Sequence, residues 1–289
     1  MKYLFYNHRA AELNIYPFSD WHIGAKQCNI DFIKRLVKRV ENDPIGVWIY
    51  MGDAGECVTK TSKGDAWEQT LSPGDQLRTA AQLMRPVADK GLFGVCGNHG
   101  RRIDREVGIG WDELLCSKVG IPYAGIAGFI GIQMEDLSGH RTSVNVYAHH
   151  GASGSISAVG KIRAAAKPLE HVVADIVLTG HSHGCGEVWP PKVYAQLDNK
   201  NKRIKWACCR AFACGSAFDS RSGYAEEKMY SPIIPEQLCI NVKQVTRSYK
   251  KKVSLGIDIQ YSITRDHPDI STDHELAKWS EDMDDMEIF

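Results

Sequence analysis

The sequence predicts an α/β fold. Two observations carry this. Short apolar runs that stop at glycine or polar residues alternate with longer stretches whose apolar residues recur at helical spacing. In addition, five polar clusters rich in histidine, aspartate and asparagine each follow directly on one of the apolar runs. The carboxyl ends of strands in open α/β sheets are where ligands bind, so these clusters are the place to look for chemistry.

The elements follow in order. Asn14 to Phe18 reads as a short strand leading into Asp20-Trp21-His22. Ile30, Ile33, Leu36, Val37 and Val40 form one helical stripe with Lys34, Arg35, Lys38 and Arg39 between them, and Asp43-Pro44 ends it. Val47 to Met51 is continuously apolar, as a strand buried on both faces would be, and stops at Gly52-Asp53. Leu77, Ala80, Ala81, Met84 and Val87 give a second helical stripe, and Leu92 to Cys96 a strand that stops at Gly97-Asn98-His99. The second half repeats the pattern. Val144 to Ala148 is a strand before His149-His150-Gly151, Ser155 to Lys167 a helix, and Ile176 to Thr179 a strand before Gly180-His181-Ser182-His183. Beyond Ala211 the pattern weakens, although Leu238 to Val245 and Val253 to Ile263 alternate as strands do. The expectation is one domain over residues 1–261 with an acidic extension over 262–289.

Bulk properties exclude several classes. The chain has 289 residues, 43% of them hydrophobic, which is ample for a large core. A formal net charge of zero argues against a generally basic nucleic-acid binder. No run of about 18 apolar residues is present to span a membrane, and the first twenty residues do not read as a signal peptide. Nine cysteines, odd in number and scattered, read as reduced thiols in a cytoplasmic setting. Cys208, Cys209 and Cys214 lack the partner spacing of a zinc knuckle and read as buried thiols. Lys60, Lys63 and Lys250-Lys251-Lys252 read as solvated loop and turn residues.

The five clusters, Asp20-x-His22, Gly52-Asp53, Gly97-Asn98-His99, His149-His150-Gly151 and Gly180-His181-x-His183, resemble in type and order the signature of the calcineurin-like metallophosphoesterases. The resemblance spans Asp20 to His183, just over half the chain, and is specific for the superfamily while nearly silent on substrate. It implies a sandwich of two mixed β-sheets flanked by helices, with the site at the strand ends on one edge. It also implies two divalent metal ions, manganese first and iron or zinc as other fits, clamping a phosphate ester and generating hydroxide between them. Asp20, His22 and His183 would hold one ion. Asp53 would bridge both. Asn98, His181 and one histidine of the His149-His150 pair would hold the other. The following glycine favours His150, whereas the alternation of Val144, Val146 and Ala148, with the ligand capping the strand, favours His149, which is the expected ligand of the pair. His99 would stay outside the coordination shell and act on the phosphate or the leaving oxygen.

The chain departs from the family's pattern after Asn98-His99, where a carboxylate is usual and Gly100-Arg101-Arg102 stands here. The arginines could bind phosphate oxygens, and a solvated loop is the competing reading. Glu56, three residues after Asp53, would support a ligand from behind. The implied reaction is phosphate-ester hydrolysis by attack of metal-bound hydroxide, with phosphodiesters, nucleic acid among them, as the expected substrates. The polar segment Thr59 to Asp75 could shape a substrate groove. Ser222 to Lys228 is loosely similar to a late region of bacterial and bacteriophage phosphoesterases grouped with DNA-repair exonucleases. A phosphomonoesterase or protein phosphatase is the alternative, and a catalytically inactive binding module the third class.

Overall fold

The computed structural model describes residues 2–59, 62, 69–152, 155, 157–190, 192–198, 201–207, 209–220, 233–249 and 252–266. Residues 60, 61 and 63–68 of the 59–75 segment, Lys60 and Lys63 among them, lie outside the described residues, as do Cys208, the 222–228 stretch, Lys250, Lys251 and the tail from 267.

The first half supplies β1 (Lys2–His8), β2 (Glu12–Phe18), α1 (Ile30–Asn42), β3 (Gly46–Tyr50), α2 (Pro73–Met84), β4 (Gly91–Gly94), α3 (Gly100–Val107) and α4 (Trp111–Val119). The second half supplies β5 (Ala127–Glu135), β6 (Arg141–His149), α5 (Ala158–Arg163), β7 (Ile176–Thr179), β8 (Cys185–Val188), β9 (Lys192–Asp198), β10 (Asn201–Ala207), β11 (Arg210–Ser216), β12 (Glu236–Tyr249) and β13 (Lys252–Arg265). The spatial order is β1, β5, β6, β7, β11, β12, β2, β3, β4, with β8 added on β11 and β13 on β12. Pairing is mixed: β2, β3 and β4 run parallel, as do β6, β7 and β11, whereas β5–β6 and β12–β2 are antiparallel. The ladder narrows to two residue pairs, Gly215–Gln237 and Ser216–Glu236, where β11 meets β12. At that junction it folds into two sheets.

The two sheets lie face to face. One apolar cluster joins Leu13, Ile15, Val47, Ile49 and Phe93 from one sheet to Ile130, Val144, Val146, Ile176, Leu178 and Phe212 from the other. The outer face of the first sheet, with Tyr16, Phe18, Trp48 and Tyr50, packs on Phe32, Leu36, Ala80, Met84, Trp111 and Leu115 from α1, α2 and α4. The outer face of the second, with Tyr147, Val177, Ala211 and Ala213, packs on Ala165 and Leu169 of a 3₁₀ turn at Ala164–Glu170. This is the layering expected of two mixed sheets flanked by helices. It explains why β3 is buried along its whole length, since even and odd residues each meet a covered face.

Local chemistry sets the helices. Asn29 caps α1 by accepting from Phe32 N–H at 2.8 Å, and Asp31 lies in the first turn. Ser72 caps α2, with Pro73 in the first turn. The α2 stripe does not run unbroken to Val87, because Pro86 lacks the N–H to continue it and a 3₁₀ turn takes over at Arg85–Lys90. The helix expected over Ser155 to Lys167 is likewise divided: Ser157 caps a short α5, and the tighter turn follows. β13 runs past Tyr261 to Arg265, which pairs with Glu236. No helix among the described residues is long and apolar enough to cross a membrane. Cys57, Cys209 and Cys214 are buried, and burial pushes the Cys57 and Cys214 thiols well above their ordinary pKa.

Candidate metal centre

The ends of β2, β3, β4, β6 and β7 meet at one edge, so the five clusters converge there. The loop after β2 runs along the loop after β3. Asp20 N–H donates to the Gly52 carbonyl at 3.2 Å, His22 N–H to Asp53 at 3.1 Å and Ile23 N–H to Ala54 at 2.9 Å. Holding these side chains inward strains the backbone. Six described non-glycine residues have left-handed φ, between 47° and 65°, and five of them are Asp20, His22, Asp53, His181 and His183. Each such residue costs about 1–3 kcal/mol, and such outliers cluster at functional sites. The glycines beside them serve a second purpose besides turning the chain. A Cβ on Gly52 would lie 2.6 Å from Gly97 Cα, one on Gly97 would lie 2.7 Å from Asp53 Cγ, and one on Gly180 would lie 2.6 Å from Asp20 Oδ2. The loops touch backbone to backbone.

Asp20 is fully buried. Its Oδ2 accepts from the Ser19 hydroxyl and from His181 N–H at 2.9 Å. Its Oδ1 has no hydrogen-bond partner. That oxygen faces His183 Nε2 at 3.4 Å and His22 Nε2 at 3.7 Å, and the two nitrogens are 2.9 Å apart. Donors bonded at about 2.1 Å to one ion are spaced by about 3.0–3.4 Å in octahedral or tetrahedral geometry, so small shifts of the three side chains would let them share a cation. Glu56 supports His22 from behind, its Oε2 lying 2.8 Å from His22 Nδ1.

The second group of ligand atoms comes from Asp53, His150 and His181, joined by Asn98. Asn98 Oδ1 lies 2.9 Å from His150 Nε2 and 2.6 Å from His181 Nδ1, and His150 Nε2 is 3.0 Å from Asp53 Oδ2. His150 donates its Nδ1–H to the Met51 carbonyl at 2.8 Å, which leaves Nε2 turned to the site. Asp53 also falls within ligand distance of His22, so it stands between the two groups.

His149 is the residue the strand pattern misplaced. Val144, Val146 and Ala148 point between the sheets, so Tyr147 and His149 point to the opposite face. His149 Nδ1 accepts from Gly151 N–H at 2.7 Å, and the ring lines a separate cavity of about 310 Å³ with Tyr147, Lys167 and His171. His150, one residue past the strand, is free of the alternation and turns inward.

His99 begins the loop-to-helix turn before α3. Its N–H donates to Asp53 Oδ1 at 2.8 Å, and its Nδ1–H to the Glu56 carbonyl at 2.7 Å. Its Nε2 accepts from Arg102 Nη2 at 3.0 Å. Distance alone would admit His99 as a ligand beside His22 and Asp53, but the guanidinium occupies the free nitrogen. Burial lowers its pKa to about 4, so the ring is neutral. Of the two arginines, Arg102 reaches the site, and Arg101 lies on a neighbouring face of α3 near the Cys96 thiol.

Charge in this cluster is short on the positive side. Burial alone would raise the pKa of Asp20 and Asp53, yet neighbouring histidines outweigh it and hold both carboxyls down. The reciprocal effect lifts His22 to about 10, where burial is outweighed by bonding to Asp20 and Glu56, and His150 to about 9 beside Asp53. In the metal-free protein, protons on histidines do the work of cations. Together with the orphaned Asp20 Oδ1, these donors could exchange protons for a metal ion.

Four contributors escaped the sequence reading. Ser19 orients Asp20. Phe218 packs against His22 and His183 with ring centroids 5.4 and 5.6 Å away. Tyr50 and Asp112 meet behind the loops at 2.5 Å. None belongs to a motif; only the tertiary contacts reveal them.

No family model matches the chain. No curated protein matches it. Among solved structures it is similar to Vacuolar Protein Sorting 29 from Cryptosporidium parvum, at 14% identity over 87% of this chain and 100% of that one, with a TM-score of 0.36. It is also similar to the NAD nucleotidase of Haemophilus influenzae, at 11% identity over 86% of this chain and 50% of that one, with a TM-score of 0.33.

Proposed function

We propose that the chain is a two-metal phosphoesterase of the calcineurin-like kind and that it hydrolyses phosphodiesters. The observation that carries this reading is the position of Asp53, whose carboxylate stands between two groups of ligand atoms. Asp20, His22 and His183 would hold one ion, Asn98, His150 and His181 the other, and Asp53 both. Manganese suits the mixed oxygen and nitrogen donors, with iron and zinc as other fits. Two bound ions would supply Lewis acidity toward the phosphate and a water of lowered pKa.

The remaining steps belong to the chain's own groups. His99, neutral and fixed by the Glu56 carbonyl, uses Nε2 to hold the Arg102 guanidinium beside Glu56. This differs from a histidine that starts as proton donor. Arg102 is the group that offers N–H to the non-bridging phosphate oxygens. Glu56 keeps His22 in the tautomer that presents Nε2. Phe218 closes one side of the site over His22 and His183 and limits water there. A single guanidinium matches the single charge of a diester better than the double charge of a monoester, and this favours diesters, nucleic acid among them.

The test compares kcat/KM for bis-p-nitrophenyl phosphate and p-nitrophenyl phosphate with manganese, alongside labelled single- and double-stranded DNA. The expected result is faster diester cleavage that a chelator abolishes. Preference for the monoester with no nucleic-acid cleavage would replace the diesterase with a phosphatase. No turnover of any ester would leave a binding module.

A further inference from the structure

We propose that Asp112 is a positioning residue that sets the second ligand group by tying the Asp53 loop to the Asn98 loop through one buried carboxyl. Asp112 lies in the first turn of α4, outside every motif, and is 2% exposed. Its Oδ2 accepts from Gly97 N–H at 3.2 Å, the residue before Asn98. Its Oδ1 accepts from the Tyr50 hydroxyl at 2.5 Å. That hydroxyl in turn accepts from Ala54 N–H at 3.2 Å, the residue after Asp53. One carboxyl therefore fixes the backbone on one side of Asp53 and on one side of Asn98. The Asp20, His22 and His183 group meets this tie only indirectly, through the backbone hydrogen bonds that the loop after β2 donates to Gly52, Asp53 and Ala54.

Two further observations support a positioning role over incidental burial. A carboxyl taken out of water is costly unless its partners repay it, and here every partner is a group of the site loops or the tyrosine beneath them. The loop also makes room for it. A Cβ on Gly100 would lie 2.8 Å from Asp112 Cγ and nearer still to Oδ2, so the carboxyl occupies the space that a side chain at position 100 would take. Gly100 and Asp112 are thus alternative sources of one group at one place. A carboxyl from position 100 is excluded while Asp112 is present and is admissible when it is absent.

The inference rests on the two-metal reading, and the test separates the two. Metal-free protein is titrated with manganese chloride by calorimetry, with circular dichroism and a thermal melt to establish folding. Wild type is expected to take two ions. Asp112→Ala is expected to weaken the ion of the Asn98 group by about 10–100-fold, the usual scale for a group supporting metal ligands from behind, and the other ion, which shares only Asp53 with it, by clearly less. Gly100→Asp alone is expected to weaken the same ion, because it sets two carboxyls in contact. Gly100→Asp combined with Asp112→Ala is expected to recover most of the lost affinity, a reversal that a merely structural residue would not give. If Asp112→Ala does not fold, Asp112→Asn and Tyr50→Phe, which keep the volume, are titrated in its place. Two ions bound as in wild type by the Asp112 variants, equal loss of both ions, or additive damage in the double variant would overturn the inference. A wild-type chain that takes no manganese would overturn the two-metal reading and this inference with it.

Discussion

Replacing Gly97 by alanine isolates the close approach of the two central loops. A Cβ there would lie 2.7 Å from Asp53 Cγ, with the Asp53 backbone nitrogen and Oδ1 nearer still. Carbon atoms settle at about 3.5–4.0 Å, so the carboxylate must retreat by about 1 Å. Asp53 cannot rotate away freely, because Oδ1 holds His99 N–H and Oδ2 faces His150. A misplacement of about 1 Å at a reacting centre can cost about 10²-fold in rate, near 2.7 kcal/mol. The overpacking itself should cost about 1–3 kcal/mol of stability. The assay is kcat for bis-p-nitrophenyl phosphate at saturating manganese, beside a thermal melt. Gly91→Ala is the control. Its Cβ would meet Trp48 Cζ2 at 2.7 Å at the far end of β4, so it should lower the melting temperature without slowing the folded enzyme. Gly97→Ala within about threefold of the wild-type rate, or no slower than Gly91→Ala, would refute the reasoning that Asp53 is held by contact with the neighbouring loop.

The histidine pair should separate cleanly. His150→Ala should lose one manganese ion and nearly all activity, whereas His149→Ala, whose ring faces the other side of the sheet, should keep both ions by metal analysis; equal effects would contradict the placement. Asp53→Asn should reduce turnover more than tenfold, a loss above about 1.4 kcal/mol, since one carboxylate serves both groups. A smaller loss in steady-state kinetics would remove the bridging role. Manganese affinity should climb with pH. His22 and His150 titrate near 10 and 9 in the metal-free protein, so at neutral pH both carry protons that the ions must displace. Affinity should rise by up to about tenfold per displaced proton for each pH unit between 6 and 8, and calorimetry in buffers of different ionisation enthalpy should detect proton release. A flat profile would mean the histidines bind metal without giving up protons.

Several parts of the fold were legible because one local rule governed them. α1 shows a clean apolar stripe between a capping asparagine and Asp43-Pro44, and it forms within those limits. β3 and β7 read as buried strands because both faces of each are covered. Other parts were hidden. Among the described residues β1 pairs only with β5, at the sheet edge, and it exposes the apolar Tyr3 and Phe5, so its residue types do not alternate as those of a half-buried strand should. β11 is central yet built mostly of small residues, because both of its faces pack closely and leave no polar side to mark it. α3 begins within the motif itself, at Gly100, where turn chemistry conceals the helix.

The sequence by itself supplied the candidate donors. Residue type fixes which atoms can ligate and strand-end position which edge they share, and it is the resemblance to the calcineurin-like signature that singles out Asp20, His22, Asp53, Asn98, His181 and His183. Tertiary structure decided what spacing cannot carry. It chose His150 over His149, because the strand's alternation ends one residue too soon to govern the ligand. It took Arg102 and not Arg101, because helix geometry turns consecutive residues to different faces. It brought Asp112 and Tyr50 behind the loops, because a hydrogen bond between distant segments leaves no periodic trace in either. It also set the charge on His22 and His150, which depends on the carboxylates that the neighbouring strands β2 and β3 bring together at their ends.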